Sequence, residues 1–317
     1  MNLNRHLLLN IAKYGVSLGL VFLILRKVPI FSVLDQARRI HIGWLFFAIF
    51  CNFLILWIQA ARWKVLMPKS QASVTRLFAW CIIGAAAGFV MPSAVGGDTL
   101  RAVLLGREES DMGASVASTI MGRLFGLLAM GCFCLIGIFF WPPLRSLLSL
   151  PKVIVLATLI LGCALFLFFL SKGKIGLEWA GSKWSDKIKA LLAHAADTIS
   201  SPRQLALIAF LSFLLQAVTI LTSWILFRAC GQNLSLAAAG AIFPIIMLGS
   251  MAPISIGGVG IREGLTVALF RQFAGVPAAI SLTVNLIGYV ALFTIGATGA
   301  LCWAFLRPRN KPMPKDK

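Results

Sequence analysis

The chain has 317 residues, of which 59% are hydrophobic and 12% charged, and its mean hydropathy is +0.92. Soluble domains carry about 25% charged residues, so a soluble globular fold is excluded and the solvent for this chain is a bilayer. The net charge of +19 comes from 29 Lys and Arg against 10 Asp and Glu, yet it does not mark a nucleic-acid binder: the cations lie mostly between apolar runs, without interleaved aromatics.

The apolar runs predict an all-α integral membrane protein. It is a polytopic helix bundle with about six full spans plus two broken, re-entrant segments in an inverted repeat. The first span covers about 7–26; Arg5 and Lys13 are followed by an apolar run from Tyr14 to Leu25, and no A-x-A pattern stands before Arg26-Lys27, so it reads as uncleaved. The others cover about 42–61, 113–140, 152–170, 204–229 and 279–305. Segments 74–105 and 236–274 differ, because each is apolar, breaks at a P-x-x-x-G-G stretch and resumes as a short piece carrying an arginine.

Basic residues set the orientation. The inside holds the N-terminus, 62–76 (Arg62, Lys64, Lys69, Arg76), the loop 171–203 with six Lys and Arg, and the tail Arg307 to Lys317 with five. The outside holds 27–41, 141–152 and 230–235, although Arg38 and Arg39 count against that side. Both termini are therefore expected in the cytoplasm, with the chain in a bacterial inner membrane. In the loop, Lys183 to Ile199 is amphipathic and suits the inner surface, where the cations meet anionic lipids. His194 reads as solvated. The seven cysteines are odd in number, lack a CxxC and lie in or beside apolar runs, and the three histidines stand apart. No disulfide framework, metal site or cofactor is expected.

The two breaks read "PSAVGGDTLR", Pro92 to Arg101, and "PISIGGVGIR", Pro253 to Arg262, a constant 161 positions apart. The same offset carries 42–61 onto the start of 204–229 and 113–140 onto the last span, so a first unit, 42–140, and a second, 204–305, are expected to be inverted across the membrane. Pro92 and Pro253 would stop or kink the incoming helix. The pairs Gly96-Gly97 and Gly257-Gly258 would permit positive φ and close backbone approach. The helix N-terminus that follows offers free N–H groups to an anion, with Arg101 and Arg262 on the first turn as phosphate forks.

Charge at such depth is costly, about 2.5 to 3.5 kcal/mol per residue at a helix centre. Asp98, Arg101, Arg123, Arg262 and Glu263 therefore either pair internally, Arg123 with Asp98 or Glu263, or line a substrate cavity. Stripes formed by Gln216, Thr219 and Ser223, by Asn285 and Tyr289, and by Asn52 and Gln59 read as interhelical hydrogen bonding.

The stretches "MPSAVGGDTLRAVLL" and "PISIGGVGIREGLTVALF", in this order and spacing, resemble the flippase-like membrane domain of lysylphosphatidylglycerol synthases, the membrane half of multiple peptide resistance factor. The matching positions are Pro92, Gly96, Gly97, Asp98 and Arg101, then Pro253, Gly257, Gly258, Gly260, Arg262 and Glu263. The resemblance implies a polytopic fold and movement of a polar-headed lipid between leaflets. The synthases continue into a soluble aminoacyl-transferase domain, whereas this sequence stops about a dozen residues past its last span. A non-enzymatic lipid transporter or flippase is the expectation, with a phospholipid or glycolipid headgroup as partner. No nucleotide-binding loop is present, so a gradient would drive it, with Asp98 or Glu263 as proton carriers. The alternatives are an accessory subunit for a lipid-modifying partner enzyme and a membrane-embedded transferase.

Overall fold

In hydrocarbon a backbone N–H or C=O finds no partner outside the chain, so long apolar runs close their own hydrogen bonds as helices. The computed structural model describes residues 15–20, 22–24, 26, 28, 30–90, 96–146, 157–158, 160, 162, 194, 201–251, 255 and 257–305. Pro92, Pro253, the start of the 7–26 span, most of 152–170, nearly all of the 171–203 loop and the tail lie outside the described residues.

In chain order the helices are α1 (Ile30–Arg38), α2 (Ile42–Leu66), α3 (Val74–Val90), α4 (Gly96–Glu109), α5 (Met112–Phe140), α6 (Pro202–Ala229), α7 (Leu236–Ser250), α8 (Ile261–Ala274) and α9 (Ala278–Phe305). A 3-10 turn follows α5 at Pro142–Ser146. Among the described residues every regular element is helical, and the protein is a polytopic membrane helix bundle. The helices α2, α5, α6 and α9 are long and apolar enough to cross a membrane. Their ends coincide with the expected spans within a few residues.

Short polar signals fix the ends. Asp111 accepts from the Ala114 N–H at 2.9 Å to start α5. Ser201 accepts from Gln204 N–H and Pro202 opens α6; Ser235 does the same for α7 through Ala238 N–H. The stretch 27–41, read as a connection, contains α1, which buries Val33 against α9.

The broken segments form helix pairs. The arms α3 and α4 have 17 and 14 residues, and α7 and α8 have 15 and 14. At 1.5 Å per residue each spans only about 21 to 26 Å, short of the roughly 30 Å hydrocarbon core. Near the open end of the first pair, Arg76 Nε meets Glu108 Oε1 at 3.0 Å and Trp80 Nε1 donates to Glu108 Oε2 at 2.9 Å. Glu109 accepts from Ser70 Oγ and Ala72 N–H. The entry of α3 and the exit of α4 therefore lie together.

Packing pairs the helices crosswise. The most extensive contact joins α2 to α6; α3 lies on α9, and α7 lies on α5. Small residues let these backbones close. A Cβ on Gly299 would come within 2.7 Å of Ala86 Cβ, and one on Gly137 within 2.5 Å of Ala241 Cα. One apolar core gathers Ala48, Ile58, Phe227, Ile242 and Phe270, and a second gathers Trp63, Leu77, Trp80 and Leu105. Large apolar side chains such as Phe46, Phe140, Phe293 and Phe305 remain exposed, as lipid-facing residues do. His194, read as solvated, is instead half-buried against Gly113, beside Lys69 and Glu109.

Candidate functional site

The two breaks begin differently. Gly96 and Gly97 are helical residues that open α4, and neither has positive φ. What the first pair needs from Gly97 is space, because it packs against Gly84 of α3. In the second break Gly257, Gly258 and Gly260 do have positive φ, at 58°, 78° and 87°, and α8 starts only after them. Hence Arg262 sits on the first turn of its helix as expected, whereas Arg101 is on the second turn of α4.

Each helix start is met by a carboxylate of the chain itself. Asp98 lies in the first turn of α4 and Glu263 in the first turn of α8. Glu263 Oε2 accepts from Gly260 N–H at 2.5 Å and Oε1 from Tyr289 Oη–H at 2.6 Å. Arg262 lies with its Nε 3.5 Å from the same Oε1 and its guanidinium 4.6 Å from the centre of the Tyr289 ring.

The first cluster is denser in charge. Asp98 Oδ1 meets Arg101 Nη2 at 3.0 Å and its Oδ2 meets Arg123 Nε at 2.5 Å. Internal pairing of Arg123 is thus with Asp98. The Arg101 side chain is buried among α2 and α3, its guanidinium 5.0 Å from the Trp63 ring centre. With its amide oxygen turned toward Arg101, Gln59 accepts from Nη2 at 3.1 Å and also from Nη1. Arg101 Nη1 also points at Cys81 Sγ, 3.5 Å away, while its Nε has no hydrogen-bond partner among the described residues.

Arg62, assigned from the sequence to a basic loop, lies inside α2 and is buried. It donates to Ser212 Oγ at 3.0 Å, near Gly122 and Gly126, which leave room for it. It stands one turn along α2 from Gln59, which also meets Arg101. A hydropathy reading ends the span at the first cation, and the only sequence signal for burial was the small residues of α5 that face it.

Two cavities and a groove surround these groups. Gln59, Gly84, Gly97, Asp98, Arg101 and Arg123 line a cavity of about 220 Å³. Asn52, Thr219, Ser223, Thr266 and Asn285 join Arg262 around another of about 190 Å³. The polar stripes expected to bond between helices mostly face this second cavity; Gln216 does bond across helices, to the Gly126 carbonyl at 3.3 Å. Beside the first cavity, Ile83, Ala87, Leu100, Phe293, Ala297 and Trp303 line an apolar groove of about 760 Å³ between α3 and α9.

Paired short helices carrying buried charge beside such cavities, held in a bundle of apolar spans, define a polytopic membrane protein with buried polar sites. The chain belongs to the lysylphosphatidylglycerol synthase transmembrane-region family, whose model, described as "Lysylphosphatidylglycerol synthase TM region", matches residues 10–299. Over 310 residues it is also 22% identical to a protein called UPF0104 membrane protein from Methanothermobacter thermautotrophicus, a match covering 90% of each chain.

Proposed function

We propose that this chain moves a polar-headed, phosphate-containing lipid between the leaflets of a bacterial inner membrane, with both termini cytoplasmic. The observation that carries this reading is the contact between unlike surfaces. The arginine-lined cavity and the apolar groove share the α3–α4 hairpin: Gly84, Ala85 and Gly88 face the cavity while Ile83, Ala86 and Ala87 face the groove, and Arg101 and Leu100 divide in the same way. A ligand that fits both is an amphiphile, with an anionic head at Arg101 and acyl chains in the groove.

Crosswise packing supports an inverted repeat, 42–140 and 204–305, in which each unit lends its hairpin to the other's last helix. Rocking along the α2–α6 contact would expose the cavities to either side in turn. Asp98 and Glu263 are both engaged by their neighbours, which favours transport over an acid–base transferase.

Proteoliposomes holding headgroup-labelled phospholipids test the reading. Movement across the bilayer should be faster with the wild type than in protein-free vesicles, and the Arg101→Ala, Arg262→Ala variant should lose the difference while remaining monodisperse. Movement at the protein-free rate for every lipid class would sink it and favour the accessory-subunit reading.

A further inference from the structure

Asn52, Ile55, Leu56 and Gln59 recur at helical spacing on one face of α2. The first two line the cavity of Arg262 and the last two that of Arg101. Asn52 and Gln59 are separated by about 10 Å of helical rise. One face of a single span thus carries two polar subsites in a row, and their chemistry differs.

At the first subsite the guanidiniums of Arg101 and Arg123 share Asp98, the one carboxylate among the described residues of the wall, and Arg62 follows Gln59 one turn along α2. Arg62 is buried with the Ser212 hydroxyl as its hydrogen-bond acceptor, and the buried Nε of Arg101 has no partner among the described residues. Desolvated positive charge in excess is stabilised by an oxyanion, which brings both charge and acceptors.

At the second subsite Glu263 lies beside Arg262, and no carboxylate is among the described residues of the wall. Asn52, Thr219, Thr222, Thr266 and Asn285 each donate to a carbonyl of their own helix. Their side-chain oxygens therefore keep lone pairs for incoming hydroxyl donors, while the Arg262 guanidinium opposes a cation.

Resting on the translocation reading above, we infer that the headgroup is a phosphodiester bearing an uncharged, hydroxyl-rich group, and that an aminoacylated, cationic headgroup is disfavoured. The phosphate sits by Gln59 and Arg101; the hydroxyls sit by Asn52 and Asn285.

Equilibrium binding to the full chain in detergent separates this inference from transport. The probes are short-chain phosphatidylglycerol, its lysyl ester, a phosphatidic acid monomethyl ester and inorganic phosphate. Phosphatidylglycerol should bind at least about ten-fold more tightly than any of the others, the 1.4 kcal/mol worth of one or two hydrogen bonds. Asn52→Leu with Asn285→Leu should erase its advantage over the monomethyl ester, and Arg62→Met should weaken both lipids. Thr219→Val, a smaller change, replaces the double variant if that one does not fold. A lysyl ester that binds as tightly overturns the inference, as does inorganic phosphate competing equally well, which would mark a free-anion site. Indifference to Asn52, Asn285 and Thr219 overturns it too. Intact selectivity without bilayer movement removes translocation alone, and movement of the lysyl ester at an equal rate removes the headgroup assignment alone.

Discussion

Gly84 of α3 and Gly97 of α4 meet backbone to backbone: a Cβ on Gly84 would lie 2.7 Å from the Gly97 carbonyl oxygen, and one on Gly97 would come closer still to the carbonyl of Gly84. That crossing holds Arg101 against α3, since its own Cβ is 3.3 Å from the same point on Gly84. Gly97→Ala should force the arms apart and cost about 1 to 3 kcal/mol, as overpacking does. Gly43→Ala, in open space on α2, should be neutral or stabilise by up to about 1 kcal/mol. Melting temperatures of the two variants in detergent decide it; equal melting would remove the crossing as a structural constraint.

Asp98 is the shared partner of Arg101 and Arg123. Asp98→Ala leaves two guanidiniums facing each other and should destabilise by about 3 to 5 kcal/mol. Adding Arg101→Met should restore part of the loss, with a coupling of at least about 0.5 kcal/mol. Strictly additive losses in denaturation midpoints would mean that the ion pair carries little of the hairpin's stability.

Glu263 joins three elements of the second break: the Gly260 turn, α8 and Tyr289 of α9. Tyr289→Phe removes one hydrogen bond to a charged acceptor, and a loss of about 1.5 to 3 kcal/mol is expected. Glu263→Ala should cost more, because it also frees the Gly260 N–H. The order of the two melting temperatures is the check, and a larger drop for Tyr289→Phe contradicts it.

Ala297 lines the apolar groove between α3 and α9. Ala297→Trp should fill that volume and slow bilayer movement of a long-chain lipid several-fold. Binding of the short-chain lipid in detergent should stay within about a factor of two, or roughly 0.4 kcal/mol. Unchanged movement would show that the acyl chains travel elsewhere.

Hydropathy and two P-x-x-x-G-G breaks located nearly every described helix, because in a bilayer the apolar length itself is the constraint. The side-chain geometry was less legible. Arg62 looked like the first residue of a loop, since a hydropathy window reads charge and not the glycines and the hydroxyl that receive it from three and four helices away in sequence order. Asn52, Thr219 and Asn285 looked like interhelical glue, yet their own helices already hold their donors, which leaves their oxygens facing a cavity. Gly97 and Gly258 share a motif position, but one lies in a helix against Gly84 and the other in a turn at positive φ; both uses spare a Cβ, so the sequence alone does not separate them.

The exchange of partners between α3 and α9 and between α7 and α5 has a consequence for how the protein is made. Synthesis delivers α3 to the membrane well before α9 exists. Until the last helix arrives, the face of α3 around Ala86 has no permanent companion. A chain interrupted after α7 would expose an unmatched hairpin, the kind of orphan that insertion chaperones shelter and membrane proteases remove. Completion of the final helix thus supplies the packing partner that the first hairpin lacks until then.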